Sequence, residues 1–216
     1  QMLQDSIRRY LETSYGLEHR AGILASDAGW SPTTWAELAD LGLLALDIDE
    51  ADGGIGAGPV GTMLVSQATG AGLLLEPFLS SAVIATRVVS LLGRGAQREQ
   101  LLGALASGEA VTVLAHEEAE GWAQPLATMA ACEGNGWRLR GRKVGVLHAP
   151  AARWLLVTAR TPDGTGVFLV DREADGVQLH AWRSVDGQHA ADIEFDVLLG
   201  DDARLGDGNA REALDE

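Results

Sequence analysis

The sequence contains a single cysteine, Cys132, among 216 residues, and this scarcity excludes an internal disulfide. Its five histidines are scattered and have no cysteine or histidine partners at ligand spacing, so no metal site is expected. Lys and Arg number 16 against 31 Asp and Glu, which gives a formal net charge of -15. Such a chain repels nucleic acid and anionic lipid, because phosphate binding needs clustered basic residues. The expected partner is therefore a small molecule or another protein.

Long hydrophobic runs are also missing. No segment approaches the roughly 18 uncharged residues that a membrane span requires, and the first residues, QMLQDSIRRY, are polar and unlike a signal peptide. We therefore expect a cytoplasmic protein without a membrane segment. The apolar fraction of 46% is enough to fill an ordinary globular core, so a folded chain is predicted.

The first 110 residues have the periodicity of five helices. Apolar residues recur every three or four positions in MLQDSIRRYLETSY, which a glycine follows. In SPTTWAELADLG, Ser31 is a predicted N-cap, Pro32 fits the first helical position, and Gly42 suits a left-handed C-terminal cap. Three more helices are predicted: one from Pro59, one from the serine pair of LSSAVIATRVVSLLG, and AQREQLLGALASG up to Gly108.

After residue 108 the period changes to that of short strands. Eight apolar or alternating segments are separated by turn residues, at 111–115, 126–132, 137–141, 143–148, 153–160, 166–171, 176–182 and 191–197. Asn135-Gly136 predicts a hairpin, because both central positions of a type I′ turn favour positive φ. Strands without intervening helices indicate an antiparallel sandwich or barrel. The acidic end GDDARLGDGNAREALDE predicts two turns and the beginning of another helix.

The stretch DGGIGAGPVG contains Gly56-x-Gly58-x-x-Gly61, which is the spacing of dinucleotide-binding loops. Such a loop works where strands and helices alternate, whereas here they are segregated into two blocks. We therefore interpret the stretch as a sharp reversal between a short extended segment, LALDIDE, and the following helix. Gly53 and Gly54 would supply the unusual backbone conformations of that reversal.

Taken together, these motifs resemble the acyl-CoA dehydrogenase family. WAELADLGLLALDIDEADGGIGAGP is similar to the family's helix W-x-x-L-A-x-x-G-L-L with its acidic turn and G-G-x-G. LLEPFLSSAVIATRVVSLLG resembles the next helices, and REQLLGALASGEAVTVLAHEE resembles the helix that leads into the first strand. GWRLRGRKVGVLHAPAARWLLVTAR resembles the family's L-x-G-x-K hairpin and the strand after it, and the likeness continues to about residue 206.

The resemblance implies an α+β multidomain fold. An N-terminal all-α helical domain is expected over 1–110 and a middle antiparallel β-barrel or sandwich domain over 111–200. Residues 201–216 would be a linker and the start of a C-terminal four-helix bundle that is missing here. The implied activity is that of an FAD-dependent oxidoreductase of fatty acid metabolism, which removes hydrogens from the α and β carbons of an acyl-CoA thioester. Implied partners are an electron-transfer flavoprotein or similar acceptor and further subunits of a homo- or hetero-oligomer.

Candidate site residues carry over from the family's motifs. The residues that resemble cofactor contacts are Ala115 and His116 beside the isoalloxazine ring, Gly121 and Trp122 near the pyrophosphate, and Gly145 and Leu147, where many members have Trp and Thr. Ser81, Ile84 and Val88 lie on the helix that borders the acyl chain in the family. The family's catalytic glutamate lies outside this sequence, so no residue is assigned as the base, and the 216-residue chain alone is expected to be inactive.

Three of these positions depart from the family pattern, namely His116, Trp122 and Leu147. Leu147 cannot donate a hydrogen bond to the flavin N5. One interpretation is an active enzyme for unusual thioesters, such as dicarboxylic or sterol-side-chain acyl-CoAs. Another is the weaker subunit of a heteromeric dehydrogenase whose paralogue completes the flavin site. A flavin-free structural protein and a flavin monooxygenase or oxidase on the same fold are further alternatives.

Other chemically suggestive side chains have simpler structural interpretations. Glu117, Glu118 and Glu120 are expected in a solvated turn of an acidic protein. Lys143, in a hairpin, is expected to stay solvated and to pack through its methylene stem. Five tryptophans are expected to anchor the core or a domain interface: Trp30, Trp35, Trp137, Trp154 and Trp182.

Overall fold

The computed structural model describes residues 2–121 and 125–215, and its first half is helical. The helices there are α1 (Met2–Ser14), α2 (Leu17–Ala25), α3 (Pro32–Asp40), α4 (Gly58–Ala71), α5 (Thr86–Leu92) and α6 (Gly95–Ala106). A π-helical segment, Phe78–Ala85, runs directly into α5. Short 3₁₀ turns at Leu43–Ala45 and Glu50–Asp52 shape the loop before α4.

The predicted caps of α3 are confirmed. The Ser31 hydroxyl accepts the backbone N–H of Thr34 at 3.1 Å, and Pro32 opens the helix. Gly42 follows the helix with φ +75°, and Gly108 ends the helical half with φ +71°. Both glycines occupy the left-handed region that other residues avoid, so the sequence marks these boundaries correctly.

The structure corrects three predictions in this half. Helix α2 was not predicted, because Ile23 is its single fully buried residue and its apolar stripe is therefore weak. The serine pair does not cap a helix, because the π-helical segment begins at Phe78; its wide turn places the Thr86 hydroxyl 3.2 Å from the Ser81 carbonyl. LALDIDE is not extended. It folds into tight turns, where a Cβ on Gly54 would lie 2.0 Å from the Ile48 carbonyl oxygen.

The second half forms one sheet. Its strands are β1 (Thr112–Ala115), β2 (Met129–Glu133), β3 (Gly136–Leu147), β4 (Trp154–Thr161), β5 (Gly164–Asp171), β6 (Val177–Arg183), β7 (His189–Gly200) and β8 (Arg204–Leu205). The strand order is β6-β7-β3-β2-β4-β5-β8, with β1 beside β4. The predicted segments 137–141 and 143–148 are one strand, β3, with a bulge between Lys143 and Val146. The predicted final helix is α7 (Arg211–Asp215).

The strand pairing is mostly antiparallel, as predicted, but the sheet is mixed. Strand β1 runs parallel to β4, and β2 meets β4 in a parallel contact between Met129 and Arg160. The first hairpin also forms one residue earlier than predicted, since Glu133 pairs with Gly136 and the turn is Gly134-Asn135. Within that pair, Gly134 adopts positive φ, +64°, which is typical of a type II′ turn.

The helices and the sheet share a hydrophobic core. One cluster of buried side chains includes Leu38 and Phe78 from the helical half and Val113, Leu155 and Phe168 from the sheet. Strand β1 packs against the π-helical segment, where the Ser81 hydroxyl accepts the N–H of Thr112 at 3.1 Å. Within residues 2–121 and 125–215, no helix combines the length and the apolar character needed to cross a bilayer.

Candidate functional site

A buried lysine organises the end of β1. Lys143 is fully buried, and its ammonium group donates to Glu118 Oε1 at 2.7 Å, the His116 carbonyl at 2.9 Å and Thr158 Oγ1 at 3.1 Å. These three acceptors match the three protons of the ammonium. The prediction that Lys143 stays solvated is wrong, because the bulge of β3 turns the side chain inward under the 116–118 segment.

Glu118 is the counter-ion of this lysine. It is 8% exposed and accepts the backbone N–H groups of Ala127 and Thr128 in addition to Lys143. Burial raises the pKa of Glu118, but these hydrogen bonds outweigh burial and leave the pKa at about 2. The prediction of a solvated turn is therefore wrong for Glu118, which ties together the two chain segments on either side of residues 122–124.

His116 is oriented by the same cluster. Its Nδ1 lies 3.1 Å from the hydroxyl of Thr158, which already accepts a proton from Lys143. The same hydroxyl lies 3.5 Å from the Ala115 carbonyl, and these contacts together hold the imidazole in one orientation. Burial, together with the nearby Lys143 charge, lowers the pKa of His116 and keeps the ring neutral. His116 thus presents a neutral, oriented imidazole at the wall of a cavity.

That cavity has a volume of about 400 Å³ and lies between β1, β5 and α7. His116, Gly121, Arg160 and Arg211 line it, together with the carboxylates of Glu117 and Asp215. Gly121 has φ +85°, and a Cβ there would meet nothing within 4 Å, so a ligand can approach its backbone closely. Ala115 lies directly behind His116 and is fully buried. Trp122 lies outside the described residues.

Gly145 and Leu147 are connected to this cluster through the bulge of β3. The Val144 N–H donates to the Glu117 carbonyl at 2.9 Å, which joins the bulge to the segment after β1. Gly145 has φ +62° and donates its N–H to Asp192 Oδ1 at 3.1 Å. That bond lowers the pKa of the Asp192 carboxyl. The structure thus brings Ala115, His116, Gly145 and Leu147 onto one hydrogen-bonded ridge.

A second cavity, of about 340 Å³, opens where the helical half meets the end of β3. Leu79, Ile84 and Leu147 give it apolar walls, and Ser80 and His148 contribute polar groups. His148 Nε2 lies 3.1 Å from the Leu75 carbonyl, so Nε2 carries the proton. Its Nδ1 then accepts the Ser80 hydroxyl proton at 2.9 Å. Burial lowers the pKa of His148, in agreement with a neutral ring.

The predicted substrate residues occupy different environments. Ile84 lines the 340 Å³ cavity and also, with Val88, a third cavity of about 660 Å³ beside α4. Ser81 is fully buried, and its hydroxyl is used in the contact with Thr112. Its neighbour Ser80 faces the cavity instead. Sequence reasoning missed Ser80 and His148, although each directly adjoins a residue that it selected.

Known proteins are similar to this chain in sequence and in structure. The sequence profile described as "Acyl-CoA dehydrogenase, N-terminal domain" matches residues 1–109, and the profile of the middle domain matches 115–198. The chain belongs to the acyl-CoA dehydrogenase family. It is 29% identical over 189 residues to acyl-CoA dehydrogenase FadE27 of Mycobacterium tuberculosis, with 87% of this chain and 49% of that protein covered.

Solved structures of acyl-CoA dehydrogenases have the same fold. A variant of the Tcur3481-Tcur3483 steroid ACAD is 27% identical, with a TM-score of 0.86 over 99% of this chain and 57% of that one. The ChsE4-ChsE5 complex from Mycobacterium tuberculosis is 25% identical, with a TM-score of 0.89 over 98% of this chain and 57% of that one. This acyl-CoA dehydrogenase chain spans about half the length of the curated relatives it matches.

FAD is typical of acyl-CoA dehydrogenases, and the residues on the hydrogen-bonded ridge fit such a group. The backbone of Gly121 is open, His116 presents a neutral imidazole, and a Cβ on Gly145 would meet nothing within 4 Å. A planar ring can therefore approach the bulge closely at Gly145. Leu147 adds an apolar side chain that is 46% exposed.

Proposed function

We propose that this protein forms the helical and β-sheet parts of an FAD-dependent acyl-CoA dehydrogenase, which dehydrogenates an acyl-CoA thioester between its α and β carbons. Residues 1–110 would act as the helical domain, 111–200 as the β-domain, and 201–216 as the connection to a further helical bundle. The lining of the cavity beside Leu147 supports this assignment.

The observation that carries this proposal is the 340 Å³ cavity beside Leu147. Its volume lies in the range of small-ligand sites, and it is bounded by apolar side chains with a few polar groups. Ile84 and Leu79, on the π-helical segment, would contact the acyl chain, while Leu147 borders both the acyl chain and the cofactor side. The Ser80 hydroxyl, which donates its proton to His148, would accept a hydrogen bond from a hydroxyl group of the acyl chain.

When bound, FAD supplies the hydride acceptor for this reaction. The chain's own residues would bind and orient it. The His116 imidazole and the Gly121 backbone would contact the cofactor, Gly145 would allow its close approach, and Leu147 would exclude water from its edge. Lys143 would act indirectly, since it fixes the carbonyl of His116 and the carboxylate of Glu118.

A heteromeric enzyme is the second candidate, and the side chain of Leu147 favours it. An alkyl group at this position cannot donate a hydrogen bond to the flavin N5. The Tcur3481-Tcur3483 steroid ACAD and the ChsE4-ChsE5 complex, both similar to this chain, carry two subunit names each. In this case a paralogous subunit would supply the complete flavin site, and an electron-transfer flavoprotein or similar acceptor would reoxidise the enzyme.

The test is an anaerobic absorbance spectrum of the full-length protein, purified alone and with any paralogous subunit encoded beside it. Addition of an acyl-CoA should bleach the flavin band, and a panel of straight-chain, dicarboxylic and sterol-side-chain thioesters identifies the preferred class. Bleaching by the protein alone supports a self-sufficient enzyme, whereas bleaching only with the partner supports the heteromer. Absence of flavin from both preparations would overturn the proposal in favour of a structural protein.

A further inference from the structure

Trp182 has an unusual environment for a tryptophan. The sequence predicts that it anchors the core or a domain interface, but the residue is 43% exposed on β6, so it does not lie in the core. Its indole N–H donates to Asp192 Oδ1 at 3.2 Å. An exposed indole that is held by a hydrogen bond keeps its ring face available at a low cost in side-chain entropy.

The same carboxylate oxygen joins Trp182 to the β3 bulge. Asp192 Oδ1 also accepts the N–H of Gly145, at 3.1 Å. The indole nitrogen and the Gly145 nitrogen are therefore less than two hydrogen-bond lengths apart. Because a Cβ on Gly145 would meet nothing within 4 Å, the indole lies next to open space above the glycine backbone.

The sheet register places Leu147 on the same face. Ala190 of β7 pairs with Trp182 on one side and with Leu147 on the other. Directly paired residues project to the same face of a sheet, so two large apolar groups flank a single buried methyl group. Neighbouring strands lie about 4.8 Å apart, which separates the two backbones by roughly 10 Å. Ala190 itself is fully buried, so the space open to a flat ring lies above the Gly145 backbone beside these two side chains, and not over the alanine.

We propose that Trp182 is a cofactor-binding residue whose indole forms an aromatic wall for the isoalloxazine ring of the flavin, beside Gly145 and Leu147. Asp192 is its positioning residue. This inference rests on the proposed function, because it assigns a residue to the cofactor side of that site. Flat conjugated rings pack well against indole. The open backbone of Gly145 lies beside the indole, because both donate to the Asp192 carboxylate.

The test measures ligand binding to the apo form of the full-length protein, followed by flavin and tryptophan fluorescence. The probes are FAD, riboflavin and ADP, since riboflavin contains the isoalloxazine ring and ADP the adenine and pyrophosphate. Trp182→Leu should raise the Kd for FAD and riboflavin about three- to tenfold and leave ADP binding unchanged. Trp182→Phe should restore most of the riboflavin affinity, because it restores an aromatic face.

Trp154→Phe is the matched control. Trp154 is also partly exposed, but it lies on β4 beneath the Arg153 guanidinium. The Trp154→Phe variant should therefore bind all three probes like the wild type. Unchanged riboflavin affinity in Trp182→Leu would overturn the inference, as would an equal loss of ADP affinity. Failure of the wild-type protein to bind FAD, alone or with its paralogue, would overturn the proposed function and this inference with it. Flavin binding that is unaffected by Trp182→Leu, or an equal loss of ADP affinity, would overturn this inference and leave the proposed function standing.

Discussion

At the scale of single residues, the Lys143–Glu118 pair is the most consequential contact near the site. Moving an ammonium and a carboxylate out of water costs several kcal/mol for each ion, and their attraction offsets this only where hydrogen bonds satisfy the remaining valences. Here Lys143 has three acceptors, and Glu118 has two backbone donors besides the lysine. The pair therefore fixes the loop ends around the proposed cofactor site.

Replacing Lys143 with methionine should lower the free energy of unfolding by about 3 to 5 kcal/mol, because it leaves the Glu118 carboxylate buried without its counter-ion. Adding Glu118→Gln should recover a large part of this loss, since it removes the unpaired charge and its amide oxygen still accepts one of the two backbone N–H groups. Urea unfolding measures both effects. Arg142→Met, at the next and largely exposed position, is the control and should cost less than about 1 kcal/mol. An equal loss in both single variants would contradict this assignment.

The same pair predicts a pH dependence of stability. The pKa of Glu118 is about 2 in the folded chain, below its ordinary value of 4.5, so the unfolded chain binds this proton first as the pH falls. The stabilisation should be fully present above pH 4.5 and should disappear as the pH falls from 4.5 to about 2. The unfolding free energy of Glu118→Gln should fall less steeply over this window. Parallel profiles for the variant and the wild type would count against the depressed pKa.

The residue types were visible in the sequence, but their environments were not. Lys143 and Glu118 lie 25 positions apart, and both were expected to be solvated. The bulge of β3 and the path of the chain after β1 bring them together, and no local pattern encodes that approach. The exposure of Trp182 was not predicted, for the opposite reason. Large rings are usually buried, and only the pairing of β6 with β7 shows that this one stays at the surface.

At the scale of the elements, the β3 bulge positions the site. It interrupts the register between Lys143 and Val146, sends the lysine inward, and leaves Gly145 on the exposed side with φ +62°. Bulges redirect side chains in this way and increase the local twist of a strand. The sequence divides the strand at residue 142, just before the bulge, and predicts neither the bulge nor that both segments belong to one strand.

Gly145→Ala should reduce the free energy of unfolding by about 1 to 2 kcal/mol, because alanine resists the left-handed region even where its Cβ has space. Thermal or urea unfolding gives the value. Gly103→Ala is the matched control, since Gly103 lies within α6 with nothing within 4 Å of a Cβ. This second variant should gain about 0.5 to 1 kcal/mol from helix propensity. The same sign of change in both variants would contradict the strained conformation of Gly145.

The ends of α3 could be predicted from local sequence, whereas the pairing of distant strands could not. Caps and left-handed glycines around α3 were predicted to the residue, because they depend on neighbouring backbone groups. The parallel pairing of β1 with β4 was not predicted. It depends on how the chain leaves α6 and enters the sheet, which involves strands more than thirty residues apart.

At the scale of the whole molecule, the helical half and the sheet are joined by a common core and by polar contacts across the boundary. The Ser80–His148 hydrogen bond links the π-helical segment to the end of β3. On another side, Arg183 of β6 donates to the carbonyls of Leu24 and Ser26 at the end of α2. The cavity beside Leu147 exists because two halves with different architectures meet there.

A bulky side chain in that cavity should weaken substrate binding and leave the free energy of unfolding almost unchanged. Ile84→Trp adds a bulky ring at a side chain that is 39% exposed and lines the cavity, so it should weaken acyl-CoA binding by at least about tenfold. The unfolding free energy should change by less than about 1 kcal/mol, because the site is open. Flavin bleaching against thioester concentration gives the apparent affinity. Leu91→Trp, on α5 and 36% exposed, is the control, and an equal effect there would argue against the proposed acyl site.

The sequence by itself determined the family, the division into helices followed by strands, and the capped ends of α3, because these features depend on local periodicity, turn chemistry and ordered motifs. It also indicated the chain segments that carry the candidate site. Only the tertiary structure decided which side chains meet there. Lys143 with Glu118, Ser80 with His148, and Trp182 with Gly145 through Asp192 are pairings between distant segments, and strand register and the β3 bulge bring them into contact.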